Sequence, residues 1–284
     1  MSEKSTPTSI PIILQEIPDK PKKLYVRGTL PDFDIYTYLT VVGSRKYTTY
    51  GKDVCESLIK GLRGYPIAII SGLALGMDTI AHRTALDNGL KTVAFPGSGL
   101  ADNVLYPASN ISLAREILNS SGALVSELEP DTPSANWTFP RRNRLMAGIS
   151  KATLVIEASN KSGTRITARL ATEYNRDVLA VPGSIFSDSS TGTNQLIREG
   201  ATPITSVTEL LEALGFEESR TAPLDTMKHC SDEEKSVLQL LASPMPRGEL
   251  MRQLNINTSA ASALLSMMEI NGLITESMGE IRRI

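Results

Sequence analysis

Short apolar runs, each ending at a small-residue loop and followed by a helical pattern, recur along most of this 284-residue chain. That rhythm, apolar runs unbroken by polar alternation, and a change to helices alone beyond residue 231 predict an α/β protein. The expected architecture is a Rossmann-like doubly wound parallel sheet followed by a small C-terminal winged-helix domain. Segments 1–23, 24–215, 216–230 and 231–284 read as tail and lead-in, sheet domain, linker and helical domain.

The elements follow in order. Met1 to Ser9 is polar, rich in Ser and Thr, and reads as disordered. Prolines interrupt Ile10 to Leu30, where Lys22 to Gly28 reads as a short strand ending in a turn. Leu39 to Val42 is an apolar run that breaks at Gly43-Ser44-Arg45 and restarts at Tyr50-Gly51 as a helix. Ile67 to Ser71 is a strand with the loop Gly72 to Gly76. Asp78 to Asn88 is a helix stopped by Gly89, a residue suited to the left-handed terminal position. Strands are expected at Lys91–Phe95, Ala123–Ser126, Ala152–Glu157 and Val178–Val181, and helices at Phe139–Ala147 and Ile166–Tyr174. Phe216 to Cys230 lacks a period and reads as a linker. Ser231 with Glu234 makes a capping box. Helices at Asp232–Leu241, Arg247–Leu254 and Ser259–Ile270, the last ended by Gly272, precede a hairpin, Leu273–Glu276 and Glu280–Ile284, turning at Met278-Gly279. That order suggests the winged helix.

Composition limits the function classes. Hydrophobic residues make up 41% of the chain, enough for a large core, which aromatics at 5% leave aliphatic. Lys plus Arg total 29 against 31 acids, so any polyanion must meet a local cluster rather than a global field. Cys55 and Cys230 lie far apart in different segments, no apolar run approaches a membrane span, and MSEKSTPTS lacks a signal-peptide core. A reducing, cytoplasmic setting is expected.

The chemistry-bearing residues narrow it further. No G-x-x-x-x-G-K-[ST] phosphate loop occurs. Gly97-Ser98-Gly99 approaches a dinucleotide fingerprint, but Asp102 holds the third glycine's place. His82 sits inside a helix, where core hydrogen bonding outweighs catalysis, and His229 lies in the linker as a solvated side chain. No Cys/His spacing fits zinc, and no cofactor is implied. Phe139-Pro140-Arg141-Arg142-Asn143-Arg144 is the strongest anomaly, because arginines at a helix start oppose the preference for acids there. An anion would compensate, either a phosphate or an internal salt-bridge set with Glu127 and Glu129. Lys151, Lys161, Arg165, Arg169 and Arg176 follow with few acids between, and Trp137 and Phe139 offer ring surfaces or core packing. Strands of such sheets present ligands at their carboxyl ends, so Arg45 and Arg165 are expected to open onto one edge. The last domain's third helix, Thr258 to Glu269, has no Lys or Arg. Without them the phosphate attraction that supports duplex binding is missing there, leaving only Arg282 and Arg283 nearby.

Several motifs in fixed order resemble the DNA-processing protein A family (DprA, or Smf). They are Leu24 to Gly28, Val42 to Arg45, Ser71 to Ala74, Gly76 to Thr79 with Ala81-His82, Tyr106-Pro107, Phe139 to Arg144, Ser162 to Thr164 with Thr167-Ala168, and Val181 to Ser184. The resemblance implies a cytoplasmic, non-enzymatic protein that binds single-stranded DNA. It also implies protection of incoming strands in natural transformation, help in loading RecA, and dimerisation through the sheet domain. Carried onto this chain, it places Gly43, Ser44, Arg45, Arg141, Arg142, Asn143 and Arg144 at the DNA, with Gly163 and Thr164 giving amides and a hydroxyl and Arg165 beside them. Leu75 departs from the family's usual cation, and the N-terminal helical extension of many members is absent. The LOG-type nucleotide phosphoribohydrolases share part of the pattern, P-G-G-x-G-T-x-x-E, but Thr167 stands where their carboxylate belongs. A duplex-reading regulator is the third possibility, disfavoured by the uncharged helix.

Overall fold

The computed structural model describes residues 5–160, 162–216, 231–241, 243–254, 256–271, 273–277 and 279–283. Lys161, His229, Cys230, Gly272, Met278 and nearly all of the expected linker lie outside them. The chain divides into two compact units, Met1–Glu217 and Glu218–Ile284.

The first unit is built on one nine-stranded sheet. Its strands are β1 (Thr6–Thr8), β2 (Leu24–Gly28), β3 (Thr37–Val42), β4 (Ile67–Ser71), β5 (Lys91–Ala94), β6 (Ala123–Ser126), β7 (Ala152–Val155), β8 (Asp177–Ala180) and β9 (Thr202–Pro203). The spatial order is β1-β2-β6-β5-β4-β3-β7-β8-β9. From β6 to β9 every pairing is parallel. β1 and β2 add antiparallel strands at one edge, so the sheet is mostly rather than wholly parallel.

The residues explain why both faces are covered. Along β3 and β4, Leu39, Val41, Ile67 and Ile69 enter one core, and Tyr38, Val42, Ala68 and Ile70 enter the other. Period-two alternation between two buried faces gives the continuous apolar run. One core is closed by α2 (Thr49–Gly61), α3 (Met77–Asp87) and α8 (Val207–Ala213). The other is closed by α1 (Ile12–Gln15), α5 (Thr138–Ile149), α6 (Thr164–Glu173) and α7 (Asp188–Arg198). Helix α4 (Ile111–Asn119) packs with β2, β5 and β6 through Ile117, Leu113, Tyr25, Ala94 and Leu124.

Two differences from the sequence reading have physical causes. Thr6–Thr8 is a strand rather than disordered chain, pairing Thr6 with Val26 and Thr8 with Leu24. β-branched threonines favour that conformation, and Pro7 is tolerated because an edge strand needs no donor on its outer side. Helices α1, α4, α7 and α8 fall in segments to which the sequence reading assigned no element. Gly89 does adopt the left-handed conformation, with φ at 71°.

The second unit contains α9 (Asp232–Leu240), α10 (Arg247–Gln253) and α11 (Thr258–Ile270) with a small antiparallel sheet. Its strands are β10 (Met245–Pro246), β11 (Ile274–Ser277) and β12 (Glu280–Arg283), in the order β10-β12-β11. Ser231 and Glu234 form the expected capping box on α9. Val237, Leu250, Leu265, Met268 and Ile281 fill its core.

Candidate nucleic-acid interface

Strand order reverses between β3 and β7, because later strands add on opposite sides of this pair. The loops leaving two such strands diverge, and a crevice opens at their carboxyl ends. Here it is a pocket of about 380 Å³ whose lining includes Gly43, Ser44, Arg45, Lys46, Asn143 and Gly163. Thr164 closes it from the β7 side by donating its hydroxyl to the Gly43 carbonyl at 3.1 Å. The opposite wall is tied by the Met77 amide, 3.2 Å from the Ser44 carbonyl.

Close backbone approach explains several glycines. A Cβ at Gly43 would lie 2.6 Å from Met77 Cγ, and one at Gly72 would lie 2.0 Å from the Arg142 guanidinium. Gly76 combines a φ of 83° with contact against the Arg45 backbone, a place only glycine fits without strain. The loop from Ser71 to Gly76 is braced from both sides. Asp78 accepts the Gly72 and Ala74 amides at 3.1 and 3.3 Å, and Asn110 donates to the Leu73 and Ala74 carbonyls. Leu75 is left projecting, half exposed.

The arginines divide into two groups. Arg45 and Lys46 are exposed on the pocket rim. Among the described residues neither forms a salt bridge, and the Arg45 guanidinium lies over the Phe139 ring at 5.6 Å. At the start of α5 the cations are committed internally. Arg142 is buried and donates to the Gly72 and Phe95 carbonyls. Burial lowers its pKa to about 10, partly offset by Asp78, with Arg45 lowering it further. Arg144 is buried against Glu127 at 2.5 Å and Asp19 at 3.3 Å. Arg141 also reaches Glu127, at 2.8 Å. Glu127 therefore supplies the anion that the helix start needed, as in the internal salt-bridge reading. Its companion in that reading, Glu129, bonds Lys23 and Tyr25 instead.

The remaining expected site residues sort by the same geometry. Arg165 lies outside this pocket, in an adjoining groove of about 830 Å³, 3.3 Å from Glu199. It does not share the pocket with Arg45, because the turn into α6 carries it past the Ser162–Thr164 loop. Asn143 lines the pocket, its side-chain oxygen accepting from Arg142 at 3.0 Å. The Thr164 amide donates to the Ser162 hydroxyl at 3.2 Å. Thr164 thus donates both its N–H and its hydroxyl within the protein, contrary to the expectation that they serve a ligand. The Ser44 hydroxyl closes a local turn with Lys46.

Other sequence expectations resolve simply. His82 is fully buried, 2.7 Å from the Thr92 hydroxyl, and burial lowers its pKa to about 3. Gly97 and Gly99 pack against Phe139 and the Glu129–Pro130 backbone, and Asp102 pairs with Arg27, so this is not a dinucleotide loop. Trp137 is 55% exposed, while Phe139 meets Tyr106 with ring centres 5.8 Å apart. Sequence reasoning missed Lys46, Asp78 as a loop brace, and Glu157. Glu157 is buried and accepts from Thr48 and Ser189. The available signal for Glu157 was a lone acid at the end of the apolar run from Ala152.

The fold and site define an open, mostly parallel α/β sheet with a pocket at its switch point that carries Arg45, Lys46 and the Phe139 ring. The family described as DNA recombination-mediator protein A matches residues 4–215, and the chain belongs to that family. Over 202 residues it is 42% identical to Protein Smf of Escherichia coli, covering 70% of this chain and 52% of that protein. It is 40% identical to DNA processing protein DprA of Streptococcus pneumoniae, covering 72% and 70%. The crystal structure of the pneumococcal protein superposes with a TM-score of 0.68 at 38% identity, covering 76% of each chain. DNA processing protein A from Helicobacter pylori, whose structure gives insight into a unique single-stranded DNA binding mode, superposes at 0.66 with 30% identity, covering 75% and 96%. The matched segment thus spans about half of the E. coli relative. Among the described residues no helix is long and apolar enough to cross a membrane.

Proposed function

We propose that this chain binds single-stranded DNA at the switch-point pocket and does not cleave it. The observation that carries this reading is the pair Arg45 and Lys46, exposed and without a carboxylate partner among the described residues, at the mouth of a crevice whose lining includes the Phe139 ring. Phosphates meet these two cations, Asn143 adds polar contacts, and buried Arg142 adds a fixed positive field. Arg141 is a peripheral contact. Arg144 and Arg165 act through position, holding α5 and the neighbouring groove. The H. pylori relative supports a single-stranded ligand.

The non-enzymatic part rests on the carboxylates. Asp78 is the only acid lining the pocket among the described residues, and two backbone amides occupy it. Burial raises its pKa, against Arg142 and the amides of Ala74 and Gly72. Glu157 is committed to Thr48 and Ser189, and Thr167 is buried. None is free to act as the base a phosphoribohydrolase requires. Strand protection in transformation, RecA loading, dimerisation through the sheet unit and a cytoplasmic location are proposed on family membership. We read the second unit as a winged helix with an accessory or protein-contact role, since α11 carries no cation.

The test is a mobility-shift comparison of oligo-dT with a duplex of equal length across salt, together with a nucleoside-monophosphate cleavage assay. Retardation of oligo-dT without released base is expected. Base release, or a preference for one duplex sequence, would overturn the proposal in favour of the enzyme or the regulator.

A further inference from the structure

In the loop after β8 and at the start of α2, several large apolar side chains stand in water. Phe186 is 94% exposed and Ile185 80%. Tyr47 and Tyr50, both more than two-fifths exposed, stand at the start of α2 directly after Arg45 and Lys46. We propose that a single strand leaving the pocket lays its bases on this Tyr47–Tyr50–Ile185–Phe186 step, an inference that rests on the single-strand reading above.

Three features favour bases over other occupants. First, along the chain two cations without a carboxylate partner among the described residues are followed by two exposed tyrosines, the charged and aromatic groups that single-strand grooves combine. Second, the loop is fixed rather than loose. The Tyr50 hydroxyl donates to the Pro182 carbonyl at 2.7 Å, and Asn194 bonds both the amide and carbonyl of Gly183. The Ser184 hydroxyl accepts from the Phe186 amide, and Ser189 donates to Glu157 at 3.0 Å. A rigid loop that presents Phe and Ile to water is preorganised for a partner, which lowers the ordering cost of binding. Third, Glu157 also accepts from the Thr48 amide and hydroxyl. One buried carboxylate therefore links the loop after β3, which carries the cations, to the loop after β8, which carries Phe186.

The experiment uses the full chain and oligo-dT of about 6 and about 20 nucleotides, one near the lower end and one beyond the upper end of single-domain sites of roughly 4–16. Phe186→Ala is expected to weaken the long oligonucleotide about tenfold, the effect of one stacked base, and the short one less than about twofold. Moving the single tryptophan, by Trp137→Phe with Phe186→Trp, is expected to give emission that the long oligonucleotide quenches and the short one does not. Unchanged affinity for both lengths with unquenched emission would overturn the inference, leaving the pocket reading intact if Arg45→Ala still weakens both. A change in solution mass for Phe186→Ala without a change in DNA affinity would overturn it in favour of a second copy of the chain. Wild-type affinity of Arg45→Ala for both lengths would overturn the pocket reading and this inference with it.

Discussion

The loop after β3 and the first turns of α5 both carry arginine to the same end of the sheet, with opposite outcomes. Arg45 stands in solvent beside Lys46, its guanidinium over the Phe139 ring and without a carboxylate partner among the described residues. Arg142 and Arg144, in the densest basic run of the chain, are buried on carbonyls and carboxylates. The difference shows that a cluster of like charges in sequence says little about available charge. A buried guanidinium with matched acceptors is part of the scaffold, and its removal exposes a desolvation cost. An exposed one costs little to remove and retains its field for a ligand.

The comparison breaks most visibly at Glu127. Glu127→Ala leaves Arg144 buried without its main partner, and a loss of about 3–5 kcal/mol is expected in urea unfolding. A loss below about 1 kcal/mol would mean that Arg144 is not a scaffold residue. At the other pole, Arg45→Ala should change stability by less than about 0.5 kcal/mol. It should still weaken oligo-dT about tenfold and flatten the salt slope by about 0.7, one phosphate's share. Unaltered salt dependence would remove Arg45 from the interface.

A smaller effect tests the buried side through pH. His82 has its pKa lowered by burial, with nearby Arg142 lowering it further, to about 3. The unfolded state therefore binds more protons below its ordinary value of about 6.5. Stability from this group is complete above that value and is lost as pH falls towards 3, at a slope approaching about 1.4 kcal/mol per pH unit. His82→Gln should be less stable at neutral pH and lose less between about pH 6.5 and 5.5; parallel curves would contradict the assignment. The smallest effect is expected at the groove. Arg165 is partly exposed against half-exposed Glu199, so Arg165→Ala should cost under about 1 kcal/mol and reduce oligo-dT affinity no more than about threefold. A tenfold loss would place the strand over the Ser162–Thr164 loop instead.

Much of this was legible in the residues. The apolar runs at Leu39–Val42 and Ile67–Ser71 specify strands because period two and burial on both faces leave few alternatives. Gly89 and the Ser231–Glu234 pair mark helix ends through local chemistry alone. Helices α1, α4, α7 and α8 were not legible. Segments such as Asp188–Arg198, with Ser, Thr and Gly inside, have weak helical preference and are held by packing of residues like Leu196 and Leu210.

For the site, the residues alone indicate the types of group and the end of the sheet that carries them: glycines for close approach, arginines for anions, loops at strand ends. Which charges are available follows from how the chain folds. Glu127 was one of two anions the sequence left open for these arginines, while Asp78 and Asp19 reach Arg142 and Arg144 only through the fold. Whether a guanidinium is neutralised depends on what other strands and helices bring within a few ångströms of it, because electrostatic pairing acts through space and not along the backbone.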